Sequence, residues 1–234
     1  MNKIRLSVSG NNLLGIAVLG LLVCCLGITG CASRLHSVNM NYDAGKANIP
    51  GYLKNENKGL NTVIAIAEFV DTRKVNEPMV IGRVVEKDGM KTLVLPKYTK
   101  PTQAVASGIK RYLSKAGYKI SSDAGQWDLK EETIPKVNSK VVIGGTIEEM
   151  ELTCRKGFPT DSYKAAMKLT LVVADTAKGK ILYRSSVESN TSLEHVSFSE
   201  ARLEEQINIA LADAIEKVFE DRKLARTLKA AIAE

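Results

Sequence analysis

Cysteine and histidine are the residue types in this chain best suited to covalent or metal chemistry, and both are scarce. Four cysteines and two histidines occur among 234 residues. Cys154 alternates with Met150 and Leu152, which predicts a side chain on the buried face of a strand, where apolar surroundings raise a thiol pKa and leave the sulfur inert. His36 and His195 are far apart in the sequence. We therefore interpret both as solvated or helix-capping residues rather than as catalytic groups or metal ligands.

The sequence contains none of the short motifs that mark common enzyme classes, such as Gly-x-Ser-x-Gly, His-Glu-x-x-His or a phosphate loop. Gly144-Gly145 lacks a following Lys-Ser or Lys-Thr, so it predicts a bulge or the close approach of a covering helix. Glu149 and Glu151 share one strand face and Glu148 is expected on the other, which favours a solvated face over a metal site. We predict no catalytic residue and no metal.

The amino-terminal region predicts a different cysteine chemistry. Lys3 and Arg5 precede an apolar run from Leu13 to Ile28, which is typical of a secretory signal. The next residues, Ile28-Thr29-Gly30-Cys31, resemble the bacterial lipobox, in which an aliphatic residue and two small residues precede a cysteine. The resemblance implies cleavage before Cys31, a diacylglycerol on its thiol and an acyl chain on its new amino group. No other cofactor is expected.

Two locations follow from two interpretations of this region. Ala32 occupies a position where aspartate commonly means retention at the inner membrane, so it resembles an outer-membrane signal. The implied location is the inner leaflet of the outer membrane, facing the periplasm. In the alternative, the 18 uncharged residues from Leu13 to Gly30 stay attached as a helix just long enough to span a membrane.

Charge and cysteine use exclude several classes of protein. Lys3 and Arg5 leave with the signal, so the formal net charge falls from +7 to +5. This surplus is spread along the chain without the clustered stripe that nucleic-acid binding requires, so no nucleic-acid partner is expected. Cys24 and Cys25 also leave with the signal and Cys31 is acylated, so Cys154 has no partner for an internal disulfide.

Hydrophobic periodicity predicts an α+β domain over residues 62–219 after a flexible lipidated tether over 31–61. Residues 62–70 are apolar on both faces and are interpreted as the central strand. An Asp88-Gly89 turn predicts a hairpin, and residues 99–117 predict a helix with Pro101 in its first turn.

The second half of the chain predicts a meander closed by a helix. Residues 140–155, 163–173 and 181–188 alternate between apolar and polar side chains, which is typical of antiparallel strands with one solvated face. A helix is predicted from Ser197 or Ser199, with Ser197 and Glu200 at capping-box spacing. We therefore predict a mostly antiparallel sheet covered on one face by two amphipathic helices, followed by a helical tail over residues 220–234.

Asp71 and Arg73 are the candidate ligand or loop site. They follow the predicted central strand at its carboxyl end, where open sheets often bind ligands. The same two residues could equally form a local ion pair that shapes the loop.

The motifs around these residues resemble the YajG-type family of bacterial outer-membrane lipoproteins. They are the lipobox, Asp71-Thr72-Arg73, Ile81-Gly82 and the helix ending at Gly117-Tyr118. The resemblance implies location and fold, with no catalytic residues, and predicts a non-enzymatic envelope accessory that binds a protein partner. Two alternatives remain open: a lipid or small-molecule carrier with a pocket between sheet and helices, and a hydrolase that uses His195.

Overall fold

Nine strands and three helices follow one another in the part of the chain that the structure describes. The computed structural model describes residues 35–55, 63–121 and 124–233; the predicted signal, the cleavage site and Cys31 lie outside the described residues. The elements are, in order, β1 (Leu35–Val38), β2 (Val63–Ile66), β3 (Val70–Asp71), β4 (Gly82–Val85), β5 (Lys91–Pro96), α1 (Pro101–Lys115), β6 (Lys119–Ser121), β7 (Val141–Arg155), β8 (Asp161–Asp175), β9 (Lys180–His195), α2 (Glu200–Glu220) and α3 (Arg222–Ala233).

The predicted meander is confirmed. Strands β7, β8 and β9 pair antiparallel along almost their whole lengths. Asp175 ends β8 and its side chain accepts hydrogen bonds from the backbone of Ala177 and Lys178, while Gly179 supplies a φ of +63°. The turn therefore forms where the polar stretch between the two strands predicts it.

The other edge of β7 makes the sheet mixed rather than mostly antiparallel. Strands β2, β3 and β4 pair with it one after another, and all three run parallel to it. Beyond them, β6 is parallel to β2, β5 is antiparallel to β4, and β1 is parallel to β5. Strand β2 lies between β7 and β6, so it is internal, but β7 is the strand with the most partners. The expectation that residues 62–70 form the central strand is therefore wrong.

A bulge divides β7 into two halves with opposite phase. The register shifts between Ile147 and Glu149. Before the bulge, Ile143 and Ile147 face the main core, and after it Met150 and Leu152 do so. One inserted residue thus keeps the apolar side chains on the same face across a change of phase.

Three helices, rather than two, contribute to the main core. Helix α1 begins at Pro101, and Gly117 follows its end with a φ of +93°. Helix α2 is capped by Ser199, whose Oγ accepts a 3.3 Å hydrogen bond from the backbone N–H of Arg202, so the cap is not Ser197. Helix α3 buries a stripe of three residues, Leu224, Leu228 and Ile232, and is thus part of the domain rather than a tail.

Residues 35–55 are folded against the domain, which contradicts the tether predicted for this stretch. Met40, Tyr42 and Leu53 are buried in the main core. The segment is held by side chains of α1: Lys115 Nζ donates to the carbonyl of Ala47 at 2.7 Å, and Arg111 Nη1 donates to that of Tyr42 at 3.1 Å. Because these bonds come from side chains, the segment requires no regular period of its own.

A second, smaller core covers part of the opposite face of the sheet. Trp127 is buried there against alanine and valine side chains of β2, β7 and β8 and their flanks, namely Ala65, Ala67, Val142, Val172 and Ala174. A Cβ on Gly144 would lie 2.8 Å from Cε3 of Trp127. The glycine therefore permits the close approach of an indole ring and not of a helix. The predicted helical turn in this loop is a 3₁₀ turn, Glu131–Thr133.

Candidate functional site

Asp71 and Arg73 form a bidentate ion pair at the end of β3. Arg73 Nη2 donates to Asp71 Oδ2 at 2.7 Å and Nε donates to Oδ1 at 2.9 Å. The Arg73 side chain is only 2% exposed. Although partial burial opposes ionisation, the hydrogen bonds from Arg73 hold the pKa of Asp71 below its ordinary value.

The remaining donors of Arg73 shape the connection from β3 to β4. Nη2 donates to the carbonyl of Pro78 at 2.5 Å, and Nη1 donates to those of Val80 and Met150 at 3.1 and 3.3 Å. A guanidinium has five N–H donors, and these contacts use all five. The structural interpretation of the pair is thus favoured, because Arg73 retains no donor for a ligand.

Two grooves lie on either side of this pair. The larger, about 880 Å³, is bounded by residues 66–71, by one side of α1 and by the loop around Trp127; we call it the helix groove. The smaller, about 500 Å³, is bounded by the loop 73–83 and by Glu148–Glu151 of β7; we call it the loop groove. The sequence prediction found the boundary between two grooves rather than the binding surface itself.

The helix groove exposes a strand edge. Strand β3 pairs with β7 on one side, and among the described residues no strand pairs with its other side. Val70 is 38% exposed there, while Phe69 and Ala106 are buried beneath the groove. Exposed polar side chains of α1, including Gln103 and Ser107, line the opposite wall. This combination of an unpaired edge and a partly apolar floor suits an extended peptide.

The loop groove is lined by carboxylates that are already paired. Glu148 lies 3.1 Å from Lys168 Nζ and accepts a hydrogen bond from Thr170, and these hydrogen bonds lower the pKa of Glu148. Glu151 lies 3.9 Å from Arg83. Contrary to prediction, Glu148 is on the same polar face as Glu151, because the bulge reverses the phase of β7. Within the described ranges no group of three or more His, Cys, Asp or Glu residues could hold a metal ion.

His36 and His195 lie on either side of an aromatic cluster. The His36 ring is 5.0 Å from that of Phe198, and Nδ1 is 2.8 Å from Oε1 of Glu200. The His195 ring is 5.9 Å from that of Tyr163, which stacks on Phe198 at 6.5 Å. The sequence prediction missed this proximity, because it placed His36 in the tether.

The surroundings of Cys154 suit a structural thiol. Cys154 is buried, as its alternation with Met150 and Leu152 predicts. Burial raises the pKa of its thiol to about 11, so the sulfur is protonated at neutral pH. His195 contacts the edge of a tyrosine ring. The hydrolase alternative thus receives no support from this cluster.

Comparisons with known proteins find distant fold similarity only. A protein from Xanthomonas campestris is 10% identical over 84% of this chain and 99% of its own, with a TM-score of 0.48. A Helicobacter pylori protein described as a homologue of a neuraminyllactose-binding haemagglutinin is 12% identical over 82% and 97%, with a TM-score of 0.43. A lipoprotein from Neisseria meningitidis is 10% identical over 68% and 99%, with a TM-score of 0.35.

No family model and no curated protein matches the chain. The YajG-type resemblance therefore stays a prediction, and the similar structures carry no conclusion about activity. None of the helices within residues 35–55, 63–121 and 124–233 has both the length and the apolar character needed to cross a membrane.

Proposed function

We propose that this protein is a non-catalytic binding module of the bacterial cell envelope that binds an extended segment of a protein partner in the helix groove. Acylated Cys31 attaches it to the inner leaflet of the outer membrane, facing the periplasm. The observation that carries the binding role is the open edge of β3 beside α1. The anchor is supported by the lipobox pattern Ile28-Thr29-Gly30-Cys31.

Strand addition explains why this edge is suited to a partner. An extended segment beside β3 would satisfy its unpaired backbone groups, and side chains on one face of the added strand would contact Val70 and the floor formed by Phe69. Charged residues flank the opening, with Glu68 on the strand side and Lys100 at the start of α1. Charges at a sheet edge discourage indiscriminate pairing and therefore favour one partner over many.

The carrier alternative receives less support from the packing. The interface between sheet and helices is filled: a Cβ on Gly108 of α1 would lie 2.4 Å from Ile215 of α2 and 3.1 Å from the Cβ of Tyr42. The helix groove and the loop groove both lie outside this interface. An apolar ligand would have to displace fully buried side chains to enter.

Site-specific photocrosslinking tests the groove in the full chain expressed in its own host. A benzophenone amino acid at Ser107 faces the helix groove, whereas the same probe at Ser114 lies on the same helix, is exposed, and is outside the groove. We expect a discrete crosslinked protein from position 107 that is absent from position 114. Val70→Lys should abolish the crosslink because it places a charge beside the open edge. Equal crosslinking at both positions would refute the proposal.

The anchor is tested separately by intact mass and membrane fractionation. We expect a chain without residues 1–30 that carries acyl chains and is recovered with the outer membrane, and we expect Cys31→Ser to lose both properties. A full-length, unmodified chain would instead establish the helical anchor from Leu13 to Gly30.

A further inference from the structure

One end of the sheet collects exposed apolar side chains from three separate connections. Met90 is 65% exposed in the turn between β4 and β5, Phe158 is 91% exposed between β7 and β8, and Val196 is 84% exposed directly after β9. Large apolar side chains that are exposed together indicate a contact surface more strongly than scattered ones do. We call these three residues the apolar tip.

Strand register places the apolar tip at a single end of the molecule. Val85 at the end of β4 is opposite Arg155 at the end of β7, and it is also opposite Lys91 at the start of β5. Asp161 at the start of β8 is opposite His195 at the end of β9. The three connections therefore leave the same end of neighbouring strands, which lie about 5 Å apart.

The connections are held in place at their bases. Lys156 Nζ lies 2.7 Å from Oε1 of Glu86, which joins the connection after β7 to the turn after β4. The same Nζ lies 4.4 Å from the ring centroid of Phe198. In the connection that carries Phe158, the N–H of Gly157 donates to Asp161 Oδ1 at 2.9 Å. The exposed Phe158 ring is thus presented by a supported turn.

The start of the described chain lies near the same end. Strand β1 runs parallel to β5, and Leu35 is opposite Leu93, two residues from the start of β5. Leu35 is itself 54% exposed. Cys31 precedes it by four residues, which span at most about 14 Å when extended. An acyl anchor on Cys31 would therefore keep this end of the sheet close to the lipid surface.

We infer that the apolar tip inserts into the lipid bilayer beside the acylated Cys31 and so fixes the orientation of the domain on the membrane. This inference rests on the anchor in the proposed function. Charged side chains at this end balance, with the cations Lys87, Lys91, Arg155 and Lys156 and the anions Glu86, Asp88, Asp161 and Glu194. Insertion is therefore driven by apolar burial and is insensitive to salt.

The orientation has a consequence for the helix groove. Strand β3 pairs with β7 at Thr146 and Ile147, whereas the apolar tip lies beyond Arg155. At about 3.3 Å per residue, the open edge of β3 stands roughly 30 Å from the membrane surface along the strand. The groove therefore faces the periplasm at a height that a partner extending away from the membrane can reach.

Nitroxide depth measurements test the inference on the acylated full-length protein in vesicles of phosphatidylethanolamine and phosphatidylglycerol. Val196→Cys and Phe158→Cys carry the label at the apolar tip, and Ala177→Cys carries it in the exposed turn at the other end of β8. Cys154 is buried, so the introduced thiol is the one that reacts. We expect the two tip labels to be accessible to oxygen and shielded from an aqueous nickel chelate, and we expect the reverse at position 177.

A second variant separates insertion from a loss of folding. Phe158→Ser should return a label at position 196 to water, whereas Tyr98→Ser should not, although Tyr98 is an equally available aromatic residue at 73% exposure beyond the other end of β5. Full nickel accessibility at the tip would overturn the inference. Protection from both reagents would also overturn it, because it indicates a protein contact. The mass and fractionation of the Cys31→Ser chain report failure of the anchor independently.

Discussion

Replacing Arg73 tests whether the Asp71–Arg73 pair supports the fold. Arg73→Met keeps much of the length of the side chain but removes two charge-assisted hydrogen bonds to Asp71 and three bonds to backbone carbonyls. Removing one partner of a buried pair typically costs about 3–5 kcal/mol. The Asp71 side chain is 21% exposed and water can partly solvate it, so we expect a loss near the lower end, roughly 3 kcal/mol.

The single tryptophan provides the assay. Trp127 is 2% exposed, so its fluorescence reports unfolding of the detergent-solubilised chain in urea. Asp71→Asn is the matched variant, because it retains the shape and removes the charge. We expect it to cost less than Arg73→Met, since it leaves no unpaired carboxylate. A loss below about 1 kcal/mol for Arg73→Met would refute the structural role assigned to this pair.

The same pair predicts a dependence on pH. The pKa of Asp71 is lower in the folded state than its ordinary value, so its ionised form contributes stability above that ordinary value. This contribution is lost as the pH falls from the ordinary value through the lower folded pKa. In Arg73→Met the hydrogen bonds that lower the pKa are absent, and this acid-linked loss should disappear.

Three further predictions concern packing. Gly144→Val should displace Trp127, cost roughly 1–3 kcal/mol and shift its fluorescence to the red, whereas Gly51→Ala, with no atom within 4 Å of the new Cβ, should have little effect. Tyr42→Ala should cost about 3–5 kcal/mol and expose residues 35–55 to protease, and unchanged protease resistance would contradict the packing described for this segment. Because burial raises the pKa of Cys154 to about 11, its thiol should resist a disulfide reagent at pH 8 and react in urea; rapid reaction of the native chain would show that the site is open.

Elements with a local repeating pattern could be predicted from the sequence. The alternation in Tyr163–Val173 determines a strand with one apolar face, and the spacing of Leu203, Ile207 and Leu211 determines a helix. The Asp88-Gly89 turn also formed as predicted, and Gly89 has a φ of +87°. Each of these features depends on residues a few positions apart, so local chain geometry is enough to specify them.

The predictions about residues that could do chemistry were limited by missing spatial information. Asp71 and Arg73 were identified by their place after a strand, but their geometry shows a pair whose donors are all used. The helix groove had no signal in the sequence, because it is assembled from α1, β3 and the loop around Trp127. Loops and helices that are distant in sequence become neighbours only through packing.

The amino-acid sequence by itself determined the long strands and amphipathic helices and predicted acylation of Cys31. Tertiary structure alone decided the parallel pairing of β2, β3 and β4 with β7, the folding of residues 35–55 against α1, and the collection of the apolar tip at one end. The physical reason is that these features depend on hydrogen bonds and apolar burial between distant segments. A side chain such as Arg111 or Phe158 carries no local record of the partner or surface that it faces.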